Sequence, residues 1–359
     1  MRFSRLLTVR LPCKKVYPLG PIYLMSILKR AAPELTQKLL DLAPVRPNRR
    51  RGILQEAILN CQPDVIVFSW RDIQVFAPHD MDSAMKDAFT FFYDSSPMRR
   101  ISAAFKGLGH ILTYHSMIAE NLDLIRNAIN LSPESIIAVG GPSIRIFGER
   151  FRPKLPPQVR LFPETNLDGF FQLIGLPMPE DPIEPELDLE SLEAAFPEWR
   201  VYQGEEIGIQ TKQGCPHHCL YCLYGFLEGR KVRRRDPARV VSEIASYYRR
   251  WGSRRFWFAD AQLLSEPSDY DHLSTILEGL LRERLNLNWS GYLRVNELDS
   301  ELADLFVRTG LHELEVSLNS GSQIVLDQLG MGFSVEEVIK GCEVLRKIGY
   351  LGGSLLISR

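Results

Sequence analysis

The chain has 359 residues, of which 45% are hydrophobic and 24% are charged, and its formal net charge is −1. These ordinary values are typical of a soluble globular protein long enough for two domains, and the low net charge gives no reason to expect nucleic acid or an anionic membrane as a partner. No apolar run approaches the ~20 residues that span a bilayer, and the N-terminus lacks a signal peptide's apolar segment, so we predict a cytoplasmic protein with no transmembrane segment.

The first half of the chain alternates between strand-like and helix-like segments. Strands are predicted at 4–11, 38–42, 63–70 and 135–139, and helices at 21–33 and 52–62. The run at 63–70 is almost entirely apolar, which is typical of a parallel strand buried on both faces. The alternation predicts a doubly wound, Rossmann-type α/β domain over residues 1–175. Residues 71–105 are the exception, because they are predicted to be an unusually long connection rich in aromatic residues and methionine.

Residues 176–199 differ in composition from both flanking regions, because they are rich in Pro, Glu and Asp. Repeated prolines favour an extended backbone. We therefore predict that this segment is a linker between two domains.

The second half, residues 200–359, alternates again. Strands are predicted at 206–212, 255–259, 288–293, 313–318 and 354–357, and helices at 236–251, 270–284, 299–308 and 334–348. Asp236 and Pro237 are typical of a helix start, and Gly252 of a helix end. Five β/α strands in series predict a partial (β/α) barrel. Because the last strand has no helix after it, the barrel is expected to be truncated at its C-terminus.

Three of the six cysteines, Cys215, Cys219 and Cys222, follow the first strand of the second domain with C-x3-C-x2-C spacing. Crowded thiols in a chain without an export signal more often bind metal than form disulfides. Three thiolates suit three corners of a [4Fe–4S] cluster and leave one iron open to a small molecule. The alternative is a zinc site with His217 or His218 as fourth ligand, which would strain a very short turn.

This motif, after the first strand of a β/α barrel, resembles the radical S-adenosylmethionine (SAM) superfamily. The resemblance implies that the open iron binds SAM, and that an electron from a donor such as ferredoxin or flavodoxin cleaves it to a 5′-deoxyadenosyl radical. It also implies that residues at or after successive strands contact SAM: Tyr221 beside the adenine, Asp260 at the methionine amino group, Arg294 at the methionine carboxylate, and Asn319 and Ser320 near the ribose. Asp260 could instead cap a helix or lie in solvent, and Arg294 could instead be a surface arginine. Many relatives carry glutamate in place of Asn319.

The order of an α/β domain, a linker and a radical barrel resembles the cobalamin-binding-domain group of radical SAM enzymes. In that group the cofactor lies against turns that correspond to Gly20, Gly140 and Gly141. The cobalt-binding Asp-x-His-x-x-Gly pattern is absent, and residues 13–20 contain no histidine. Cobalamin is therefore possible, but it would have no histidine ligand from that motif, and the alternative is a scaffold without the cofactor.

Five segments, 9–13, 68–78, 214–219, 256–262 and 321–323, resemble the cyanobacterial photosystem II high-light-acclimation radical SAM family. This resemblance implies a role in adjusting photosystem II to strong light, without naming a substrate. Two other functions remain open: a non-catalytic redox-sensing or tetrapyrrole-binding assembly factor, and an inactive truncated product. The basic run 230–235 is predicted to be a solvated loop or to close over the cofactor, because no aromatic residues accompany it as in a nucleic-acid site.

Overall fold

The computed structural model describes residues 3–71, 81–163, 167–181, 183–350 and 355–357. The motif residues at 72–78 and Ser354 of the last predicted strand lie outside these ranges. The chain divides into two compact units, one of Met1–Glu180 with Ser191–Glu198 and one of Asp181–Glu190 with Trp199–Arg359. Within the described ranges, no helix has the length and apolar character needed to cross a membrane.

The first unit is built on a parallel sheet with the strand order β2-β1-β3-β4-β5. Its strands are β1 (Arg5–Arg10), β2 (Thr36–Asp41), β3 (Val65–Ser69), β4 (Ile136–Gly140) and β5 (Arg160–Phe162). Its helices are α1 (Leu19–Ala31), α2 (Pro47–Cys61), α3 (Met81–Tyr93), α4 (Pro97–Leu131), α5 (Pro142–Phe151) and α6 (Asp168–Ile174). The order reverses between β1 and β3, and ligands of such sheets bind outside the carboxyl ends of the strands at that switch point.

Alternating side chains of the strands form a separate core on each face of this sheet. Ile66 and Phe68 of β3 pack with residues of α2, α4 and α5 on one face. Val65 and Val67 pack with residues of α1 and α6 on the other face. Burial on both faces explains why the strand is apolar throughout, and it confirms the predicted doubly wound domain.

The predicted connection at 71–105 is wrong for most of its length, because α3 begins at Met81 and α4 runs on to Leu131. The end of α4 packs on the sheet through buried residues such as Ile125, whereas its beginning lies against α3. The two helices expose large apolar side chains: Phe89, Phe92, Tyr93, Met98, Phe105 and Leu112. Three consecutive aromatic residues, Phe91 to Tyr93, hide the one-sided spacing by which an amphipathic helix is recognised in a sequence.

The second unit is built on a parallel sheet with the strand order β12-β11-β10-β9-β6. Between β6 and β9 in the chain, β7 and β8 form a separate two-stranded antiparallel sheet. The strands are β6 (Ile207–Ile209), β7 (Lys212–Gln213), β8 (Arg233–Arg234), β9 (Arg255–Phe258), β10 (Asn288–Leu293), β11 (Leu311–Asn319) and β12 (Leu355–Ile357). The helices are α8 (Tyr224–Leu227), α9 (Pro237–Trp251), α10 (Ser268–Arg282), α11 (Ser300–Arg308), α12 (Gln323–Gln328) and α13 (Val335–Lys347). Five parallel β/α strands confirm the predicted partial sheet.

Helix α9 begins and ends as its sequence predicts. The Asp236 side chain accepts a hydrogen bond from the Ala238 backbone N–H at 2.8 Å, and Pro237 is the first helical residue. Gly252 ends the helix with a φ of 67°, a left-handed conformation that glycine adopts without strain.

The predicted linker at 176–199 is extended only in part. Helix α7 (Leu189–Ala195) and a 3-10 helix (Pro197–Tyr202) form in its second half, because the clustered prolines end at Pro185 and buried apolar residues such as Leu189 follow. In its first half, Glu184 is only 3% exposed. This charged side chain of the predicted linker therefore belongs to the interior of the second unit.

Candidate active site

The cysteine loop, residues 214–223, connects β7 to α8. Gly214 has a φ of 99°, and a Cβ atom there would collide with the backbone oxygen of Lys231, so the loop needs glycine at its first position. The Cys215 backbone N–H donates to Gly229 at 3.0 Å, and that of Cys222 donates to Cys219 at 3.1 Å. These contacts fix the backbone of the loop at both ends of the motif.

The three thiols of this loop influence one another. Burial raises the pKa of Cys215, and the nearby Cys222 and Cys219 raise it further. Mutual repulsion of this kind is relieved when thiolates bind a metal centre. Among the described residues, no three His, Cys, Asp or Glu side chains are placed to hold a single ion. In a [4Fe–4S] cluster, each cysteine binds a different iron, so three thiols in one loop fit this group without converging on one ion.

Arg294, directly after β10, presents unused hydrogen-bond donors beside the cysteine loop. The side chain is 5% exposed and donates from Nη2 to the Met331 carbonyl at 2.7 Å. Its Nε and Nη1 atoms are buried without a partner among the described residues. Burial lowers the pKa of Arg294, while the neighbouring Cys219 and Cys215 raise it. Because buried donors are normally satisfied, this guanidinium fits a carboxylate ligand.

Tyr221 and Asn319 meet at the same loop. The Tyr221 hydroxyl is within hydrogen-bonding reach of the Asn319 side chain, and burial raises the pKa of Tyr221 although that hydrogen bond lowers it. Cys219, Cys222 and Arg294 also lie close enough for their charges to act on Tyr221. Asn319 has a φ of 59°, in the left-handed region that asparagine tolerates. The structure thus brings Tyr221, Arg294 and Asn319 together with the cysteines.

Ser320 is placed differently from Asn319. It lines a cavity on α13 that Leu318, Val338 and Cys342 also border, and no cysteine of the loop lines that cavity. Its hydroxyl accepts a hydrogen bond from the Ser322 backbone N–H at 3.1 Å. The predicted role of Ser320 near the ribose therefore stays a prediction.

Asp260, after β9, is 1% exposed, and its carboxylate contacts the segment that precedes the cysteine loop. Its Oδ1 accepts hydrogen bonds from the backbone N–H groups of Thr211 at 2.7 Å and Lys212 at 3.1 Å, and its Oδ2 accepts one from the Thr211 hydroxyl at 2.5 Å. Burial raises the pKa of Asp260. Its predicted contact with SAM stays a prediction.

The basic run 230–235 is not solvated throughout, which corrects the first of the two expectations; that one of its arginines closes over the cofactor stays a prediction. Arg234 donates from Nε to Asp269 at 2.9 Å. Arg235 is 2% exposed and pairs with Glu184 at 3.2 Å and Glu243 at 2.6 Å. The acidic partners of these arginines are not adjacent to them in sequence, so no local pattern indicates the ion pairs.

Glu228 is a partly buried acid of the site that sequence reasoning missed. Its Oε2 accepts a hydrogen bond from the Gly214 backbone N–H at 3.1 Å. Burial raises the pKa of Glu228 to about 7, and the charge of Asp260 also raises it. No motif marks this residue, because a single glutamate in a polar stretch is ordinary.

In the first unit, the three glycines assigned to a cobalamin cradle have different surroundings. Gly141 has a φ of 101°, and a Cβ atom there would lie 2.7 Å from the Trp70 carbonyl oxygen. A Cβ atom at Gly140 would make an ordinary contact with Phe162, and one at Gly20 would meet nothing within 4 Å. Glycine is therefore required at position 141 by the close backbone of Trp70, directly after β3, whereas a side chain would have open space at Gly20.

A buried amide lies near the carboxyl ends of β3 and β4. Asn121 is 1% exposed, and neither its Oδ1 nor its Nδ2 has a hydrogen-bond partner in the described part of the chain. It borders a small cavity with Trp70 and Ser143. An unpaired polar group in such a place fits a ligand that carries hydrogen-bonding groups.

Comparison with known families identifies part of the chain. Residues 209–357 match the family model of the Radical SAM superfamily. This range contains the three cysteines together with Asp260 and Arg294. Residues 209–357 are therefore similar to the members of this superfamily.

Three curated relatives match parts of the chain. An uncharacterized methyltransferase, PH0819, from Pyrococcus horikoshii is 23% identical over 42% of this chain and 32% of its own length. Cytidylyl-2-hydroxyethylphosphonate methyltransferase from Streptomyces wedmorensis is 28% identical over 35% of this chain and 23% of its own length. Anaerobic magnesium-protoporphyrin IX monomethyl ester cyclase from Rubrivivax gelatinosus is 25% identical over 47% of this chain and 31% of its own length. The matches span about a third or less of these relatives.

Two solved structures share the fold over 99% of this chain. The radical SAM methyltransferase TsrM from Kitasatospora setae, with cobalamin and a [4Fe-4S] cluster bound, has a TM-score of 0.68, 16% identity and 69% of its own chain covered. The cobalamin-dependent SAM radical enzyme OxsB, with aqua-cobalamin and SAM bound, has a TM-score of 0.62, 16% identity and 49% covered. These likenesses confirm the fold class: a cobalamin-binding-like α/β unit followed by a partial radical SAM sheet.

Proposed function

We propose that this chain is a radical SAM enzyme in which Cys215, Cys219 and Cys222 hold a [4Fe–4S] cluster with an open iron for SAM. The observation that carries the proposal is the pair of unpartnered, buried guanidinium donors of Arg294 beside this loop. A bound cluster supplies the electron that cleaves SAM into methionine and a 5′-deoxyadenosyl radical. A donor such as ferredoxin or flavodoxin would reduce it.

The residues of this chain bind and orient SAM in this proposal. Arg294 holds the methionine carboxylate through a charge-assisted hydrogen bond from one of its two unpartnered donor atoms, Nε or Nη1, while Nη2 stays on the Met331 carbonyl. Tyr221 and Asn319, whose side chains meet at the loop, contact the adenine and ribose. Burial around Cys215 excludes water from part of the site.

We also propose that the first unit binds cobalamin outside the carboxyl ends of β1, β3 and β4. The switch in strand order, the open space at Gly20 and the unpaired amide of Asn121 support this position. TsrM and OxsB, which share the fold, are described with cobalamin bound. Residues 13–20 contain no histidine, so cobalt would receive no histidine ligand from this loop.

Methyl transfer is the reaction class we propose, because two of the matched relatives and TsrM are described as methyltransferases. The substrate stays unassigned. The predicted role in adjusting photosystem II to strong light rests on the sequence resemblance, since the relatives above include no photosystem II protein.

Anaerobic reconstitution with iron and sulfide tests the proposal. We expect about four irons per chain and reductant-dependent formation of 5′-deoxyadenosine or a demethylated SAM product. The matched control is Cys215→Ala treated in parallel. Iron binding without SAM turnover under reducing conditions would favour a redox-sensing factor, and zinc in place of iron would overturn the proposal. Cobalamin binding is measured separately from the corrinoid absorbance retained after gel filtration.

A further inference from the structure

We infer that Asp260 is a positioning residue, which fixes the backbone immediately before the cysteine loop, and that it does not bind SAM. The inference rests on the proposed cluster, because it concerns how the protein shapes that cluster's ligand loop. It revises the role that the sequence resemblance implied for Asp260.

The first argument is that the Asp260 carboxylate is already used. Its two oxygens accept three hydrogen bonds, all from Thr211 and Lys212. A carboxylate offers about four acceptor positions, so three are filled. With 1% of the residue exposed, little of the carboxylate is left for the amino group of a ligand.

The second argument is the position of its partners. Thr211 and Lys212 directly precede Gln213 and Gly214, and Cys215 follows. Buried backbone N–H groups need an acceptor, and Asp260 is the acceptor for the N–H groups of both Thr211 and Lys212. The carboxylate therefore determines the direction in which the chain enters the loop.

Other side chains hold the same short segment from other directions. The Lys212 ammonium group donates to the Ser265 hydroxyl at 2.8 Å and pairs with Asp269. The Gly214 backbone N–H donates to Glu228 at 3.1 Å. The Gln213 side-chain oxygen accepts a hydrogen bond from Arg233 at 2.7 Å. With this contact, every residue from 211 to 214 has a partner that is distant in sequence. Such supporting contacts are how proteins hold metal ligands in a fixed geometry.

The chemistry of Asp260 separates positioning from SAM binding. In Asp260→Asn, the amide oxygen can still accept from the two backbone N–H groups, and the amide nitrogen can donate to the Thr211 hydroxyl oxygen. Asparagine should therefore preserve the loop, whereas Asp260→Ala leaves two buried N–H groups without an acceptor. If Asp260 held the amino group of SAM, asparagine would lose the charge needed for that contact.

The experiment compares wild type with Asp260→Asn, Asp260→Ala and Thr211→Val, with the exposed Asp304→Ala as matched control. Each protein is reconstituted anaerobically. Iron per chain, the rate of iron loss to a chelator, the electron paramagnetic resonance spectrum of the reduced cluster without SAM, and SAM affinity are then measured. We expect Asp260→Asn to stay within twofold of wild type in iron content and SAM affinity. Asp260→Ala should lose iron at least fivefold faster.

Thr211→Val keeps the carboxylate and removes one hydrogen bond, so it covers the case in which Asp260→Ala does not fold. We expect it to alter the spectrum of the SAM-free cluster and to lose iron faster than wild type. Wild-type iron retention in both Asp260→Ala and Thr211→Val would overturn the inference alone. An Asp260→Asn protein with a normal cluster but at least tenfold weaker SAM binding would also overturn it. Absence of iron from wild type would overturn the proposed function as well.

Discussion

The Arg235 guanidinium lies 3.2 Å from the Glu184 carboxylate, and both side chains are at most 4% exposed. Glu184 also accepts a hydrogen bond from the Asp236 backbone N–H, at 2.5 Å. The pair thus connects the proline-rich segment to the start of α9. A segment that composition alone marks as a linker contributes a buried ion to the second unit.

Removal of Glu184 should therefore destabilise the second unit. We expect Glu184→Ala to lower the free energy of unfolding by about 1–3 kcal/mol, because Arg235 Nε and the Asp236 N–H lose their acceptor while Glu243 still compensates the charge. Urea titration followed by circular dichroism measures the change. The control is Glu186→Ala, which removes an exposed pair with Arg239 and should cost about 0–1 kcal/mol. Equal effects of the two variants would show that burial of the Glu184 pair is unimportant.

The three loop cysteines should each be necessary for the cluster. Alanine at Cys215, Cys219 or Cys222 should abolish the visible absorbance of the cluster and most of the bound iron after anaerobic reconstitution. Serine at Cys342, a partly exposed thiol outside the loop, is the matched control and should retain both. Loss of iron from the Cys342 variant would show that the ligand set is wrong.

Arg294→Lys should weaken SAM binding without loss of the cluster. Lysine keeps a positive charge but lacks the planar guanidinium that donates to the Met331 carbonyl and to a carboxylate from fixed positions. Loss of one charge-assisted hydrogen bond costs about 1.5–3 kcal/mol, which raises the dissociation constant roughly 10- to 100-fold. Equilibrium dialysis with SAM measures this, and Arg308→Lys, at an exposed ion pair, is the control. Unchanged affinity in Arg294→Lys would remove this residue from the SAM site.

Glu228 should make stability depend on pH between about 4.5 and 7. Burial raises the pKa of Glu228 from 4.5 to about 7, so the native state retains a proton that the unfolded state has released. The free energy of unfolding should therefore fall as pH rises through this interval, by up to about 3 kcal/mol, and then stay level. Glu228→Gln should lack this component. Parallel curves for the two proteins from pH 4.5 to 8 would contradict the raised pKa.

Two glycines of the first unit should differ sharply in tolerance to alanine. Gly141→Ala places a Cβ atom against the Trp70 backbone at a positive φ, so it should lower the free energy of unfolding by more than about 1 kcal/mol. Gly20→Ala adds its Cβ in open space within α1 and should change stability by less than about 1 kcal/mol in either direction. Thermal unfolding of the two variants measures the difference. A tolerated alanine at position 141 would contradict the close approach seen here.

Much of the architecture follows from sequence because buried strands and capped helices carry local signals. The apolar run before Trp70 and the Asp236-Pro237 start of α9 are examples, and both elements form where expected. The hairpin of α3 and α4 was missed because its aromatic residues are consecutive. The interior position of Glu184 was missed because its partner Arg235 lies 51 residues later.

In the candidate site, too, features with a local sequence signal could be predicted, and contacts between distant residues could not. Spacing alone identifies the three cysteines, since their loop is one short segment. Resemblance proposes Arg294 and Asn319, which come from separate strands, and the fold brings both to the loop. What Asp260 contacts could not be predicted, because an acid after a strand gives no information on the direction in which its carboxylate faces.

The contact between Thr211 and Asp260 also affects when the cysteine loop can fold during synthesis of the chain. The two residues are 49 positions apart, and all three cysteines lie between them. During synthesis the thiols leave the ribosome before the acid that anchors their loop and before β9, the partner of β6. The nascent loop therefore reaches its final geometry only after Asp260 has been translated, and an iron–sulfur carrier would find this geometry only from that point on.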